Sequence, residues 1–276
     1  MPGCPLLSTP RPWASIPPHM VNPGETSEAG EQAAGPLPLQ VECARCGKPQ
    51  ALCVCEDITP EHNAVELLIL QHPQEQDRAL GTAVLTALHF KHATLKIGLS
   101  WPSLTKILGR TVDPQRWAVL YLGSLKAAEI APDTVVVVVD RKGQAEANQK
   151  AILRGIEGVI LLDGNWSQAK ALWWRNAWML KCRRVILAPS APSRYGRLRR
   201  EPRADGLSTI EAAAMLMSNL ERRPEVEVRL MASFERLLDR YRQLQKTTPG
   251  FDSSHEPAKG GRFRGARQRR RRSRRS

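Results

Sequence analysis

Residues 159–172, VILLDGNWSQAKAL, constrain the fold more than any other stretch of this chain. An apolar run leads directly into Asp163, Gly164, Asn165 and Trp166, where a helical spacing of apolar positions begins. This pattern predicts a buried strand, a sharp turn and the start of a helix. Because proteins that alternate strands and helices bind ligands at the carboxyl ends of their strands, a carboxylate and a large aromatic ring at this turn indicate a candidate site.

Other apolar runs extend the pattern into an α/β fold, a mostly parallel sheet with flanking helices. Strands are predicted at residues 65–70, 117–122, 134–139, 158–162 and 184–188. Helices are predicted at residues 78–88, from 166 to about 180, from Ser208 onward, and at 226–245. The helical spacing of Trp173, Trp174 and Trp178 favours core positions for these three rings.

The two ends of the chain have the composition of disordered segments. Residues 1–39 contain nine of the 21 prolines and no periodic pattern, which predicts a disordered lead. Residues 246–276 contain eleven Lys and Arg against two acidic residues, and therefore carry nine of the chain's fourteen net positive charges. We expect a disordered basic tail that binds RNA without sequence preference through counterion release. A tail that only improves solubility is the alternative.

The sequence favours a cytoplasmic protein without a membrane partner. The longest purely aliphatic run is 135–139, whereas a spanning helix needs ~20 apolar residues. The first residues lack the basic and apolar regions of a signal peptide, and no obligate protein partner is evident from the sequence. Because cytoplasmic thiols stay reduced, clustered cysteines in such a protein indicate a metal site more than disulfides.

Four cysteines, Cys43, Cys46, Cys53 and Cys55, form such a group, the cysteine cluster. Two short-spaced pairs joined by a short loop can converge on one tetrahedral zinc ion, so we predict a structural zinc module at residues 40–60. Arg45 and Lys48 offset the thiolate charge. A closed four-thiolate site leaves no open position for catalysis, which favours a role in folding or in RNA contact. Four unligated thiols are the alternative.

Four segments in this order resemble the DTW-domain family of tRNA-uridine aminocarboxypropyltransferases. They are the cysteine cluster; LQHPQE at 70–75, followed by Thr82; LDGNWSQAK at 162–170; and a last segment with Arg194, Tyr195, Arg199, Glu201, Pro202 and LSTIEA at 207–212. The resemblance covers residues 43 to about 238 and assigns 61–245 to an α/β catalytic domain. The combination is specific, although each segment alone is a weak indication.

The family's name motif is Asp-x-Thr-Trp, and this chain has Asn165 in place of the threonine. If position 165 caps the following helix, asparagine serves as well as threonine, and Gln168 completes a capping box. If the threonine hydroxyl instead contacts substrate, the larger amide impairs or alters the activity. We expect capping.

The resemblance implies a specific reaction and fold. S-adenosylmethionine is the implied donor of a 3-amino-3-carboxypropyl group, the implied acceptor is N3 of a uridine in tRNA, and methylthioadenosine is the released product. Similarity to related RNA enzymes further implies a SPOUT-like, knotted C-terminal half. Two alternatives remain: a methyltransferase that uses the same donor on RNA, and a non-catalytic RNA-binding protein that contains zinc.

Within this framework, each candidate residue has a predicted task. Asp163 accepts the weakly acidic N3 proton or orients the group that does so, unless it only holds the turn. Trp166 stacks on a base or lies over the sulfonium, unless it is a core residue. The residues predicted to bind the donor are Ser208, Thr209, Glu211, Asn165 and His72. Ser208 and Thr209 would present backbone amides to the donor carboxylate, with capping alone as the alternative.

A basic segment beside the candidate site is predicted to contact tRNA. It interleaves an aromatic ring with cations, which suits contacts to bases and phosphates. Its residues are Arg194, Tyr195, Arg197, Arg199 and Arg200. A solvated basic loop is the alternative.

Overall fold

Short apolar segments pair into one six-stranded sheet in the computed structural model. The strands are β1 (Glu66–Gln71), β2 (Ala93–Ile97), β3 (Trp117–Leu120), β4 (Val136–Val139), β5 (Gly158–Asp163) and β6 (Arg183–Leu187). Their spatial order is β2-β1-β5-β3-β6-β4. Strand β4 pairs antiparallel with β6 and every other pair is parallel, which confirms the predicted mostly parallel sheet.

The structure describes residues 41–121, 134–189, 191–196, 198 and 206–248. Residues 1–39 and 249–276 lie outside these ranges, so the disorder predicted for the lead and for most of the tail stays a prediction. Lys246 and Thr247, the first residues of the predicted tail, instead belong to a helix that ends at Thr247. All described residues belong to one compact unit, Pro36–Ser276. None of the described helices combines the length and apolar character that crossing a membrane requires.

The described helices flank the sheet on both faces. They are α1 (Ala83–Leu88), α2 (Leu104–Leu108), α3 (Gln149–Arg154), α4 (Trp166–Arg175), α5 (Thr209–Glu221) and α6 (Pro224–Thr247). Alternate strand residues point to opposite faces. Leu67, Ile69, Val159 and Leu161 join the core formed with α1, α5 and α6, whereas Leu68, Leu70 and Ile160 join the core formed with α2 and α4. By the same alternation, Asp163 at the end of β5 belongs to the face that α5 covers.

Two predicted helices are shorter than expected. The helix expected at 78–88 begins only at Ala83, after a turn in which the Gly81 amide donates to the Arg78 carbonyl over 2.9 Å. Lys48 Nζ also donates to the carbonyls of Arg78 (3.3 Å) and Ala79 (2.8 Å) in this turn. The helix expected to reach residue 180 ends at Arg175, where Asn176 leaves helical geometry with φ −123° and ψ 66°. A 3-10 helix, Ala177–Lys181, then leads to β6.

The sequence did not indicate β2, α2 or α3. Strand β2 lies at the edge of the sheet and is only partly buried, so it has no apolar run to reveal it. Helices α2 and α3 are five and six residues long, too short to show a clear period. The expected core position of Trp174 is also wrong: this side chain is 75% exposed, whereas Trp173 is buried.

Candidate functional site

Asp163 lies at the carboxyl end of β5 and is only 7% exposed. Its Oδ2 accepts a hydrogen bond of 2.9 Å from Gln71 Nε2, at the end of β1. Its Oδ1 accepts from the hydroxyl of Thr209, the first residue of α5. Because strand pairing places Gln71 opposite Asp163, the sheet and α5 together determine the orientation of this carboxylate.

His72 follows Gln71 and is half-buried. Its backbone N–H donates to the Asp163 carbonyl over 2.9 Å. Its Nδ1 accepts from the Gln74 amide over 3.3 Å and so caps the short 3-10 helix Pro73–Glu75. Burial, and secondarily the charge of Arg175, lower the pKa of His72, which favours the neutral ring. The structure therefore places His72 beside Asp163, and its predicted contact with the donor stays a prediction.

Asn165 caps α4, as expected from the sequence. Its side-chain oxygen accepts from the Gln168 amide over 3.0 Å, and Gln168 Oε1 accepts from the Asn165 amide over 2.6 Å. Gly164 leaves room for this arrangement, since a Cβ there would lie 2.8 Å from Gln168 Cβ. The turn thus ends in a complete capping box, with Trp166 half-buried as the first helical residue.

We expect Asn165→Thr to leave kcat nearly unchanged and to alter stability by less than ~1 kcal/mol, because both residues accept the same helix-start hydrogen bond. Steady-state kinetics and thermal unfolding of the purified variant check this. Asn165→Ala, which removes the cap, should cost about 1 kcal/mol. A large gain or loss of turnover in Asn165→Thr would show that position 165 contacts substrate.

The start of α5 is also capped. Ser208 Oγ accepts from the Glu211 amide over 3.3 Å, and the Ile210 amide donates to Thr82 Oγ1 over 3.3 Å. Ser208 N donates to Glu211 Oε2 over 2.8 Å, so this predicted donor-facing amide has a protein acceptor, whereas presentation of the Thr209 amide to a ligand carboxylate stays a prediction. Thr209 contributes through its hydroxyl, which contacts Asp163.

Glu211 ties the basic segment to α5. Its Oε2 accepts from Ser208 N (2.8 Å), Ser208 Oγ (2.6 Å) and Ser193 Oγ (2.6 Å), and its Oε1 accepts from Arg194 N (2.7 Å). Glu211 is 5% exposed. Since both of its carboxylate oxygens serve these internal contacts, Glu211 holds the segment rather than facing solvent.

Tyr195 is a core residue, not the exposed RNA contact that its sequence neighbours suggested. Its ring is 2% exposed and meets Phe234 edge-on at 5.0 Å between centroids. Its hydroxyl donates to the Leu80 carbonyl over 2.7 Å, and packing against α6 therefore removes the ring from solvent. Arg194 is half-exposed and pairs with Glu235. The other predicted RNA contacts, Arg197, Arg199 and Arg200, lie outside the described residues.

The cysteine cluster converges as its spacing predicts. The four Sγ atoms lie within 4.8 Å of one another, and those of Cys46 and Cys53 are 3.8 Å apart. Tetrahedral zinc with Zn–S bonds of about 2.3 Å would place its sulfur ligands roughly 3.8 Å apart. Gly47, with φ +68°, makes the turn after Cys46. The donor set and its spacing therefore fit a zinc ion.

Hydrogen bonding and burial shift the pKa values of thiols in the cysteine cluster in opposite directions. Backbone hydrogen bonding from Cys46, with contributions from Cys53 and Arg45, lowers the pKa of Cys43 to about 7, whereas burial raises the pKa values of Cys53 and Cys55. Arg45 donates to the carbonyls of Cys55 (2.6 Å) and Ile58 (2.8 Å) and so closes the loop around the thiols. Three of the four thiols are buried, which suits a structural site.

Lys48 connects the cysteine cluster with the Asp163 site, and the sequence indicated only its proximity to the thiols. It is 6% exposed, and burial lowers the pKa of its ammonium to about 8 against the attraction of Cys46 and Asp163. Lys48 and Gln71 line one cleft between the cysteine loop and the end of β1. The side chain thus places a positive charge near the Asp163 carboxylate.

The sequence model of the DTW domain matches residues 40–242, a range that includes the cysteine cluster, Asp163 and the start of α5. The chain belongs to the DTW-domain family. Asn165 stands where the family motif has threonine, and in this member of the family it caps helix α4.

Named relatives agree with this membership. The chain is 30% identical over 203 residues to tRNA-uridine aminocarboxypropyltransferase 2 of Mus musculus, covering 71% of this chain and 62% of that protein. Proteins of the same name from Macaca fascicularis and Drosophila melanogaster are 27% and 29% identical, over 73% and 72% of this chain and 64% and 74% of their own lengths. The chain therefore spans less than two thirds of the mouse and macaque relatives. No solved structure matches.

Two residues that sequence reasoning did not assign to the site of this DTW protein are Gln71 and Lys48. Gln71 ends a buried strand directly before His72 and lies within the LQHPQE segment at 70–75, and these two signals could have suggested it. Its contact with Asp163 depends on β1 lying beside β5, and the contacts of Lys48 depend on the packing of the cysteine loop against residues 78–79.

Proposed function

We propose that this protein transfers the 3-amino-3-carboxypropyl group of S-adenosylmethionine to N3 of a uridine in tRNA and releases methylthioadenosine. Relatives that it resembles are named tRNA-uridine aminocarboxypropyltransferase 2, which supports aminocarboxypropyl transfer to a tRNA uridine. The observation that carries the proposal is the buried carboxylate of Asp163, held between Gln71 and Thr209 at the carboxyl edge of the sheet. Ligands of α/β proteins bind at this edge.

The reaction defines what such a carboxylate has to do. A bond forms between uracil N3 and the donor methylene carbon, the bond from that carbon to sulfur breaks, and the N3 proton leaves. The sulfonium is already an activated leaving group, so positioning of the two reactants accounts for much of the catalysis. Asp163 is proposed to accept the N3 proton, with Gln71 and Thr209 fixing the direction of its oxygens.

The other site residues have supporting tasks in this proposal. Trp166 is proposed to stack on the uracil or the adenine, and His72 to line the donor pocket as a neutral ring. Arg194 and the remaining arginines of the basic segment are proposed to contact tRNA phosphates, while Glu211 positions the segment. The basic tail is proposed to add a salt-sensitive contribution to RNA affinity.

The cysteine cluster is proposed to hold a structural zinc ion. Its four thiols fit tetrahedral coordination, and four sulfur ligands leave no position open for substrate. When bound, the ion would crosslink the loop that carries Lys48. It would thereby stabilise the position of Lys48 near Asp163.

Mass spectrometry tests the proposed reaction. Purified protein is incubated with unmodified tRNA and S-adenosylmethionine, and the digested nucleosides are examined for uridine carrying an aminocarboxypropyl group, with methylthioadenosine as coproduct. Release of S-adenosylhomocysteine with a methylated nucleoside would identify a methyltransferase instead. Absence of donor binding in calorimetry, together with retained tRNA binding, would identify a non-catalytic RNA-binding protein.

A further inference from the structure

Helix α4 presents an exposed tryptophan that the proposed chemistry does not use. Trp174 is 75% exposed, although its neighbours Leu172 and Trp173 are buried, Trp173 in the core that α2 and α4 form with the sheet. Lys170 lies one turn before Trp174, and Arg175 is the next residue; both side chains are exposed. An exposed indole between two cations combines a flat stacking surface with charges for phosphate.

The charged residues near Trp174 in the sequence are all positive. Residues 166–184 contain five Lys and Arg and no Asp or Glu. Such a surface complements a polyanion. Aromatic rings that stack on bases beside cations are the usual means of holding unpaired nucleotides.

The same helix begins at the Asp163 site. Trp166, the first residue of α4, lies eight positions before Trp174, which is about 12 Å along the helix axis. At the other end of α4, the Arg175 carbonyl accepts from Ser100 Oγ over 3.2 Å, and Ser100 follows Gly98, whose amide donates to the Gln71 carbonyl over 3.1 Å, so this end of the helix also lies at the carboxyl edge of the sheet. An RNA strand that enters the site would therefore pass along the exposed side of α4.

We propose that Lys170, Trp174 and Arg175 form an RNA-binding platform, on which Trp174 stacks against an unpaired base of the tRNA substrate near the modified uridine. The identity of the RNA as substrate rests on the function proposed above. The platform acts on affinity and placement of the strand, and it takes no part in the transfer step.

The test measures binding of unmodified tRNA by fluorescence anisotropy and, separately, transfer at saturating tRNA. Trp174→Ala should raise Kd by about 5- to 100-fold, the range expected from the loss of one stacked base. Trp174→Phe should restore most of the affinity, because a smaller ring still stacks. Lys170→Gln should weaken binding and reduce the slope of log Kd against log salt by roughly 0.7 to 0.9. All three variants should keep kcat and the unfolding temperature of the wild type.

Val228→Ala is the matched control, because Val228 is a 68% exposed apolar residue on α6. Unchanged tRNA affinity in Trp174→Ala, or an equal loss in Val228→Ala, overturns the platform. Concentration-dependent dimerisation that Trp174→Ala abolishes, with tRNA affinity unchanged, would assign the face to a second copy and also overturn it.

If wild-type protein binds tRNA through Trp174 without transferring the group, the platform stands and the proposed reaction fails. If wild-type protein binds no tRNA, the platform fails.

Discussion

Replacing Asp163 by alanine is expected to lower the rate of the proposed aminocarboxypropyl transfer by about 10²- to 10⁴-fold, the usual contribution of a positioned proton acceptor. Both oxygens of the buried carboxylate accept hydrogen bonds, one from Gln71 and the other from Thr209. No other described carboxylate lies between these two residues. The overall fold should persist, because the change is at the end of β5 rather than in the core of the sheet.

The measurement is single-turnover transfer to tRNA, together with calorimetric titration of the donor and thermal unfolding. Asp163→Asn separates charge from shape. Gln71 Oε1, which is buried and has no hydrogen-bond partner among the described atoms, can accept from the new amide after the Gln71 side chain rotates. Asp140→Asn is the matched control, since Asp140 only holds a turn by accepting from the amides of Lys142 and Gln144. Near wild-type transfer by Asp163→Asn would remove Asp163 from the proton-transfer step.

Replacing Cys46 by serine is expected to abolish stoichiometric zinc binding and to lower Tm by more than about 10 °C. Zinc binding contributes on the order of 10 kcal/mol to the folding of small four-ligand modules, and 1 kcal/mol corresponds to roughly 2–4 °C in a protein of this size. The loss extends beyond the loop itself, because Leu52 and Val54 between the ligands are part of the main apolar core.

Elemental analysis of the purified chain and differential scanning calorimetry measure both effects. Cys182→Ala is the control: Cys182 is buried in the core formed with α2 and α4, outside the cysteine cluster, so its loss should reduce stability while zinc content stays at one ion per chain. Wild-type protein that contains neither zinc nor iron would contradict the metal assignment. A Cys46→Ser variant that retains full zinc content would contradict the four-ligand site.

Local patterns in the sequence predicted local structure well. The caps of α4 and α5 each join residues three positions apart; the cap of α4 forms as expected, and that of α5 forms as the capping alternative given for Ser208. The cysteine cluster spans residues 43–55, and its thiols converge as their spacing requires. In each case the interacting groups are so close along the chain that the backbone between them can adopt few conformations.

The sequence predicted burial less well where one residue's neighbours come from distant segments. Tyr195 lies among arginines, yet it is buried because Leu80, 115 residues away, and Phe234 meet it in the fold. Trp174 lies within an apolar helix segment, yet it is exposed because the buried stripe of α4 passes through Leu172 and Trp173. A helical period identifies which face of a helix is apolar. It does not show which of two adjacent tryptophans lies within that face.

The sequence by itself determined the α/β class, the metal-binding spacing and the position of Asp163 at the end of a buried strand, because each depends on periodicity or on contacts within about a dozen residues. Only the tertiary structure decided what surrounds that carboxylate. Gln71 is 92 residues from Asp163 and Thr209 is 46; the order of strands in the sheet brings Gln71 beside Asp163, and the packing of α5 on the sheet brings Thr209 there. That order is set by the packing of whole faces, which no single segment encodes.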